Sequence, residues 1–173
     1  MTPETQSVRE EIVGYFAGRL PDAWFDGPAE VTVDGDEILV VGTLAEPEVP
    51  EGGNADTARV ARIKRFREDT REARMAIASE AERHFGRTVS WGASIGEVRR
   101  LFTTLNVPVM TRLRIPERRV LDTLVEGGVA RSRSEALAWC VRLVGQHQAD
   151  WIADLEAALT HVQKVRSEGP NSA

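Results

Sequence analysis

The chain has 173 residues, 42% of them hydrophobic, and a formal net charge of −5. That length suits one ordinary domain or two small ones, and no apolar run is long enough to span a membrane. The single cysteine, Cys140, excludes an intrachain disulfide, and no cysteine–histidine cluster points to zinc. The start, Met1-Thr2-Pro3-Glu4-Thr5, lacks the basic and apolar segments of a signal peptide, so a cytoplasmic protein is expected.

Ser7 to Leu20 reads as a helix, with Ser7 and Glu10 in a capping-box pattern and an apolar stripe of Val8, Ile12, Phe16 and Leu20. Val31–Val33 and Ile38–Val41 flank Asp34-Gly35-Asp36-Glu37 and predict a hairpin. Residues 45–56, with two prolines and two glycines among acids, read as a loop or linker. A long helix is predicted over Thr57–Phe85, stopped by Gly86. Thr88–Ile95 is a strand candidate, Glu97–Leu105 a helix candidate, and Asn106-Val107-Pro108 a separator. Residues 1–107 thus form an α+β domain in the order helix, hairpin, helix, strand, helix.

The charge is distributed unevenly. Residues 1–56 hold two basic and thirteen acidic residues, net −11, whereas residues 57–107 are net +5 and residues 108–145 net +3. Affinity for nucleic acid depends on charge at the contact surface, so the acidic total does not exclude it. The run Arg59, Arg62, Arg65, Arg67, Arg71 and Arg74 is expected to be a solvated face paired with Glu68, Asp69 and Glu72, with a second nucleic-acid surface as the alternative. His84, His147 and His161 fall in separate segments without a catalytic partner. Trp24, Trp91, Trp139 and Trp151 are packing candidates, and Trp91 beside Gly92 hints at a pocket. With no nucleophile–base pair, metal cluster or glycine-rich phosphate loop in view, neither an enzyme nor a cofactor is expected.

Residues 110–115, Met-Thr-Arg-Leu-Arg-Ile, alternate as a strand does: Thr111, Leu113 and Ile115 on one side, Met110, Arg112 and Arg114 on the other. Pro116 can open a helix, which runs from Glu117 to Glu126 with Val120, Leu121, Leu124 and Val125 on its apolar side and ends at Gly127-Gly128. Ser132-Arg133-Ser134-Glu135 is a second capping box, and Ala136, Leu137, Cys140, Val141 and Val144 give the next helix a broad apolar arc. Cys140 reads as a core residue rather than a nucleophile. Gly145 is expected to interrupt this helix. Trp151, Leu155, Ala158, Val162 and Val165 mark one face of a C-terminal helix within 146–173, and Glu168–Ala173 reads as a disordered tail.

This strand–helix–helix string resembles the ribbon-helix-helix family of DNA-binding transcription regulators. The residues that carry the resemblance are Thr111–Glu117, Leu121–Gly128 and Ser132–Leu137, about a fifth of the chain. The resemblance implies a homodimer or a higher even oligomer, in which two copies of the strand pair into an antiparallel ribbon lying in the major groove of double-stranded DNA. Leu113 and Ile115 would face the shared core, and Met110, Arg112 and Arg114 the base edges. Arg131, Ser132, Arg133 and Ser134, at the start of the second helix, would hold a phosphate. The implied role is a sequence-specific regulator, and a repressor needs only to occupy its operator. The alternatives are an antitoxin of the same fold that binds a partner protein, and a regulator whose N-terminal domain senses a small molecule.

Overall fold

In the computed structural model, which describes residues 3–168, the chain is mixed α and β, with six helices and one four-stranded sheet. It divides into two compact units, one of Thr5–Val107 and another containing the chain from Pro108 onward. No helix among the described residues is long and apolar enough to cross a membrane.

The first unit is built on a sheet of order β1-β2-β3-β4. β1 (Glu30–Val33) and β2 (Glu37–Thr43) form the expected hairpin. Its turn is fixed by Asp34, whose Oδ1 accepts from the N–H groups of Asp36 (2.8 Å) and Glu37 (2.7 Å). These bonds hold the Asp34 carboxyl below the usual carboxylate range. β2 then pairs in parallel with β3 (Thr88–Ile95), from Glu37↔Thr88 to Thr43↔Ser94. Parallel neighbours need a long crossover, and here it consists of α2 (Ala55–Asp69) and α3 (Arg71–Phe85). Alternate residues Ile38 and Val40 of β2, and Val89, Trp91, Ala93 and Ile95 of β3, enter one core. Ile12 and Phe16 of α1 (Pro3–Arg19), Ile63 of α2 and Ile77 and Ala81 of α3 complete it.

Several expectations for this unit are corrected. The first helix begins at Pro3, so Ser7 lies inside it and caps nothing; proline suits a first turn because its missing N–H has no helical partner there. The long helix over 57–85 is two helices, broken at Thr70 (φ −97°, ψ 4°). The Thr70 hydroxyl donates back to the Phe66 carbonyl (2.6 Å), a local bond that competes with the helical ladder. Glu97–Leu105 is no helix: Gly96 (φ 53°) turns the chain, and β4 (Val98–Leu101) folds back on β3 with Ile95 opposite Val98. A two-residue turn that opens with a positive-φ glycine is the hairpin signal the helical reading passed over. Finally, the arginine run is not one solvated face. Arg59 is clasped by Glu46 (2.8 Å) and Asp56 (3.0 Å), Lys64 rather than an arginine meets Glu68 (3.9 Å), and Arg74 is buried. Trp91 lies in the core, and Gly92 is closed in by Leu101 and Val41, which leaves no room for a pocket between the two residues.

The second unit is helical. α4 (Ile115–Glu126) and α5 (Arg133–His147) pack around Leu121, Ala130 and Ala136. α6 (Ala149–Glu168) follows. Gly145 does not interrupt α5; the break falls at Gln148 (φ −123°), since one glycine weakens a helix by only about 1 kcal/mol. The expected tail beyond Glu168 lies outside the described residues. Residues 103–114 carry neither helix nor strand. The strand expected over 110–115 is therefore absent from the single chain, where its backbone has no ladder to join, and its last residue, Ile115, opens α4.

Gly42 offers a direct test of this packing. A Cβ there would fall within the Phe25 ring, which cannot swing clear because its inner carbons are also in the way. Gly42→Ala is expected to destabilise the protein by about 1–3 kcal/mol, read as a lower urea midpoint with an unchanged slope. An unchanged midpoint would show that Phe25 is not held against β2.

Candidate nucleic-acid interface

Residues 109–114 carry neither helix nor strand and lead into α4, with Arg114 extended at φ −83°, ψ 177°. Pro116 sits in the first turn of α4, and the Arg118 N–H bonds back to the Arg114 carbonyl (3.1 Å). Val109, Thr111 and Leu113 line one side of a groove of about 280 Å³. Arg118 and Leu121 of α4 and Arg133, Ser134 and Leu137 of α5 form its other side. The intervening residues do not line it: Met110 is 93% exposed, and Arg112 and Arg114 are exposed and make no ion pair among the described residues. Leu113 packs on the α4–α5 core, whereas Ile115 remains 64% exposed.

The turn between the two helices is fully bonded. Gly128 takes φ 75°, and the N–H groups of Gly128, Val129 and Ala130 donate to the carbonyls of Val125 and Leu124. Ser132 (φ −152°, ψ 162°) caps α5, its hydroxyl accepting from the Glu135 N–H (3.2 Å). The reciprocal half of the box is shifted by one residue: the Glu135 carboxylate accepts from the Arg131 N–H (2.7 Å). The N–H groups of Arg133 and Ser134, in the first turn, have no helical acceptor. The Arg131 side chain is exposed and unpaired among the described residues. Arg133 is not free. Its guanidinium holds Asp122 of α4 through two bonds of 2.6 and 2.8 Å. These bonds keep the Asp122 carboxyl below the ordinary range and raise the Arg133 guanidinium further.

Of the seven residues singled out in the sequence, Arg133 and Ser134 line the groove with Val109, Thr111 and Leu113, whereas Met110, Arg112, Arg114, Arg131 and Ser132 do not. Two contributors were not anticipated. Asp122 and Arg118 lie within charge-rich stretches with no motif of their own, and the Asp122–Arg133 clasp joins residues eleven apart. Cys140 is half-buried against the helix-pair core. Apolar side chains left exposed in this unit include Val120 (55%), Val141 (65%) and Val144 (51%), and on α6 Trp151, Leu155, Val162 and Val165. No group of three or more metal-ligating side chains occurs among the described residues.

Comparison with known proteins places both halves. Residues 10–101 match the model described as Rv1265-like protein, N-terminal domain, and residues 114–166 the model described as Mb1296 C-terminal domain. The chain belongs to the Rv1265-like family. It is 55% identical over 157 residues to the uncharacterized proteins Rv1265 and MT1303 of Mycobacterium tuberculosis and Mb1296 of Mycobacterium bovis. The match covers 91% of this chain and 69% of each relative. No solved structure matches the chain.

The cap on α5 can be tested alone. Ser132→Ala is expected to cost about 0.5–2 kcal/mol, and Ser132→Gly only a few tenths, both read from chemical denaturation of the whole chain. Equal losses in the two variants would mean that the hydroxyl does not hold the Glu135 N–H in solution.

Proposed function

We propose that this Rv1265-like protein is a sequence-specific DNA-binding transcription regulator, acting as a repressor, whose residues 109–145 work as a dimeric ribbon-helix-helix module. The observation that carries the reading is the segment before α4, in which Leu113 packs on the α4–α5 core, Val109 and Thr111 stand exposed at the rim of the groove, and Met110, Arg112 and Arg114 are exposed and line no part of it. A segment with one face on its own helices and the other bearing two free arginines needs only a second copy to become a two-stranded ribbon. Such a ribbon fits the major groove, where arginine makes paired bonds to guanine.

Two further features favour the dimer. The backbone of residues 109–114 has no ladder partner in its own chain, and the apolar surface of Ile115, Val120, Val141 and Val144 lies uncovered beside it. The start of α5 supplies a phosphate-binding end, with first-turn N–H groups, a positive dipole and the unpaired Arg131. Because Arg133 is committed to Asp122, Arg131 is the better phosphate contact of the two.

Light scattering or sedimentation at micromolar concentration is expected to return a dimer or a multiple of it, and a folded monomer would overturn the ribbon. In DNA binding, Arg112→Ala or Arg114→Ala should cost about 1–3 kcal/mol on the preferred sequence and relax preference at one position. Arg131→Ala should weaken preferred and random sequences alike and flatten the salt dependence by about one unit per contact. The symmetric dimer carries each change twice. Operator preference surviving both Arg112→Ala and Arg114→Ala would remove the ribbon as the reading element.

A further inference from the structure

Three arginines meet the α2–α3 corner of the N-terminal unit, and the described residues place no carboxylate on any of them. Arg74 is 94% buried by relative exposure, 6% of its surface remaining open. Its Nε donates to the Thr70 hydroxyl (3.0 Å) and one terminal nitrogen to the Arg67 carbonyl (2.6 Å), both neutral acceptors. Its guanidinium lies 4.8 Å from the centre of the Phe102 ring, and Arg67 lies 5.9 Å from the centre of the same ring. Arg71 stands at the first position of α3, whose N-terminus has no side-chain cap. The acids nearest in sequence do not compensate. Glu68 is turned to Lys64, and Asp69 and Glu72 make no ion pair with the three arginines.

A buried charge is normally paired, because removing it from water costs far more than hydrogen bonds to neutral groups return. Burial, and then the repulsion of Arg67 and Arg71, push the Arg74 guanidinium below its ordinary range. The corner is thus a concentration of positive charge on which no carboxylate of the described residues is placed. Guanidinium groups match the oxygens of a phosphate in forked geometry. Phe102 adds an aromatic face that positions two of the cations.

We propose that Arg67, Arg71 and Arg74, backed by Phe102, form a binding site for phosphate groups on the N-terminal unit. The site is separate from residues 109–145 and stands whether or not that segment reads DNA. The phosphate has two sources, a free phosphorylated small molecule or the backbone of a nucleic acid. The first would make this unit a ligand-sensing domain, and the second would give the chain an additional nucleic-acid contact.

The test is titration of the full-length protein with pyrophosphate, with ATP and with a random-sequence duplex, at fixed ionic strength. The variant is Arg67→Gln/Arg71→Gln, both exposed residues, and the charge-matched control is Lys64→Gln/Arg83→Gln on the same two helices. For a free ligand, pyrophosphate or ATP binds the wild type and the control equally and the variant at least about tenfold more weakly. For nucleic acid, pyrophosphate and ATP are silent, and the variant alone loses about two units of salt dependence on the duplex. Arg74→Met should abolish the same binding while unfolding no earlier than the unliganded wild type, since it removes an unpaired buried charge. If the variant and the control behave alike with all three probes, the site does not exist.

Discussion

The parallel pairing of β2 with β3 is the constraint on which the N-terminal unit rests. Seven consecutive residues of each strand are in register, and two parallel strands cannot be joined by a turn. The chain must leave the end of β2, cross a sheet face and return, and it does so with two helices instead of one. The break at Thr70 falls within that crossing. It lets Ile63 of α2 and Ile77 and Ala81 of α3 reach the same core. The same break sets Arg74 one turn into α3, where its side chain reaches back to Thr70 and the Arg67 carbonyl.

The second unit is organised by a different principle. Its core is small: three buried side chains, Leu121, Ala130 and Ala136, with five partly buried neighbours. A helix pair with so little interior gains definition from polar geometry. The Ser132 cap, the Glu135 bond to Arg131 and the two-pronged Asp122–Arg133 clasp fix the turn and the start of α5. Exposed ion pairs contribute little stability, so the clasp matters chiefly for where it holds α5 against α4. It also changes the assignment of roles, because a guanidinium already engaged with two carboxylate oxygens is a poorer phosphate ligand than its unengaged neighbour Arg131.

Electrostatically, the acidic first third and the basic middle are partly combined. Glu46 and Asp56, both in the acidic stretch, neutralise Arg59 at the start of α2, and Glu30 of β1 pairs with Arg99 of β4. Among the described arginines without a carboxylate partner are those of the α2–α3 corner in one unit and Arg112, Arg114 and Arg131 in the other. Net charge along the sequence could not distinguish those groups, because pairing depends on which distant carboxylates folding brings near.

Local features of the chain were legible in its residues. The hairpin at Asp34–Glu37 was legible in its turn residues, the stop at Gly86 in a left-handed glycine (φ 66°), and the start of α5 in Ser132 and Glu135. Each depends on residues a few positions apart. Tertiary structure decided the rest. The break at Thr70 lies within a pattern that reads as continuous helix, and β4 forms only because β3 offers an edge beside it. Arg74 belongs to the same arginine run as its solvated neighbours, yet it is buried, with its guanidinium against Phe102, twenty-eight residues later. Asp122 gained its role from a partner across the helix pair. Backbone conformation is dictated by nearby residues, whereas burial and ion pairing are dictated by whatever the completed fold brings into contact.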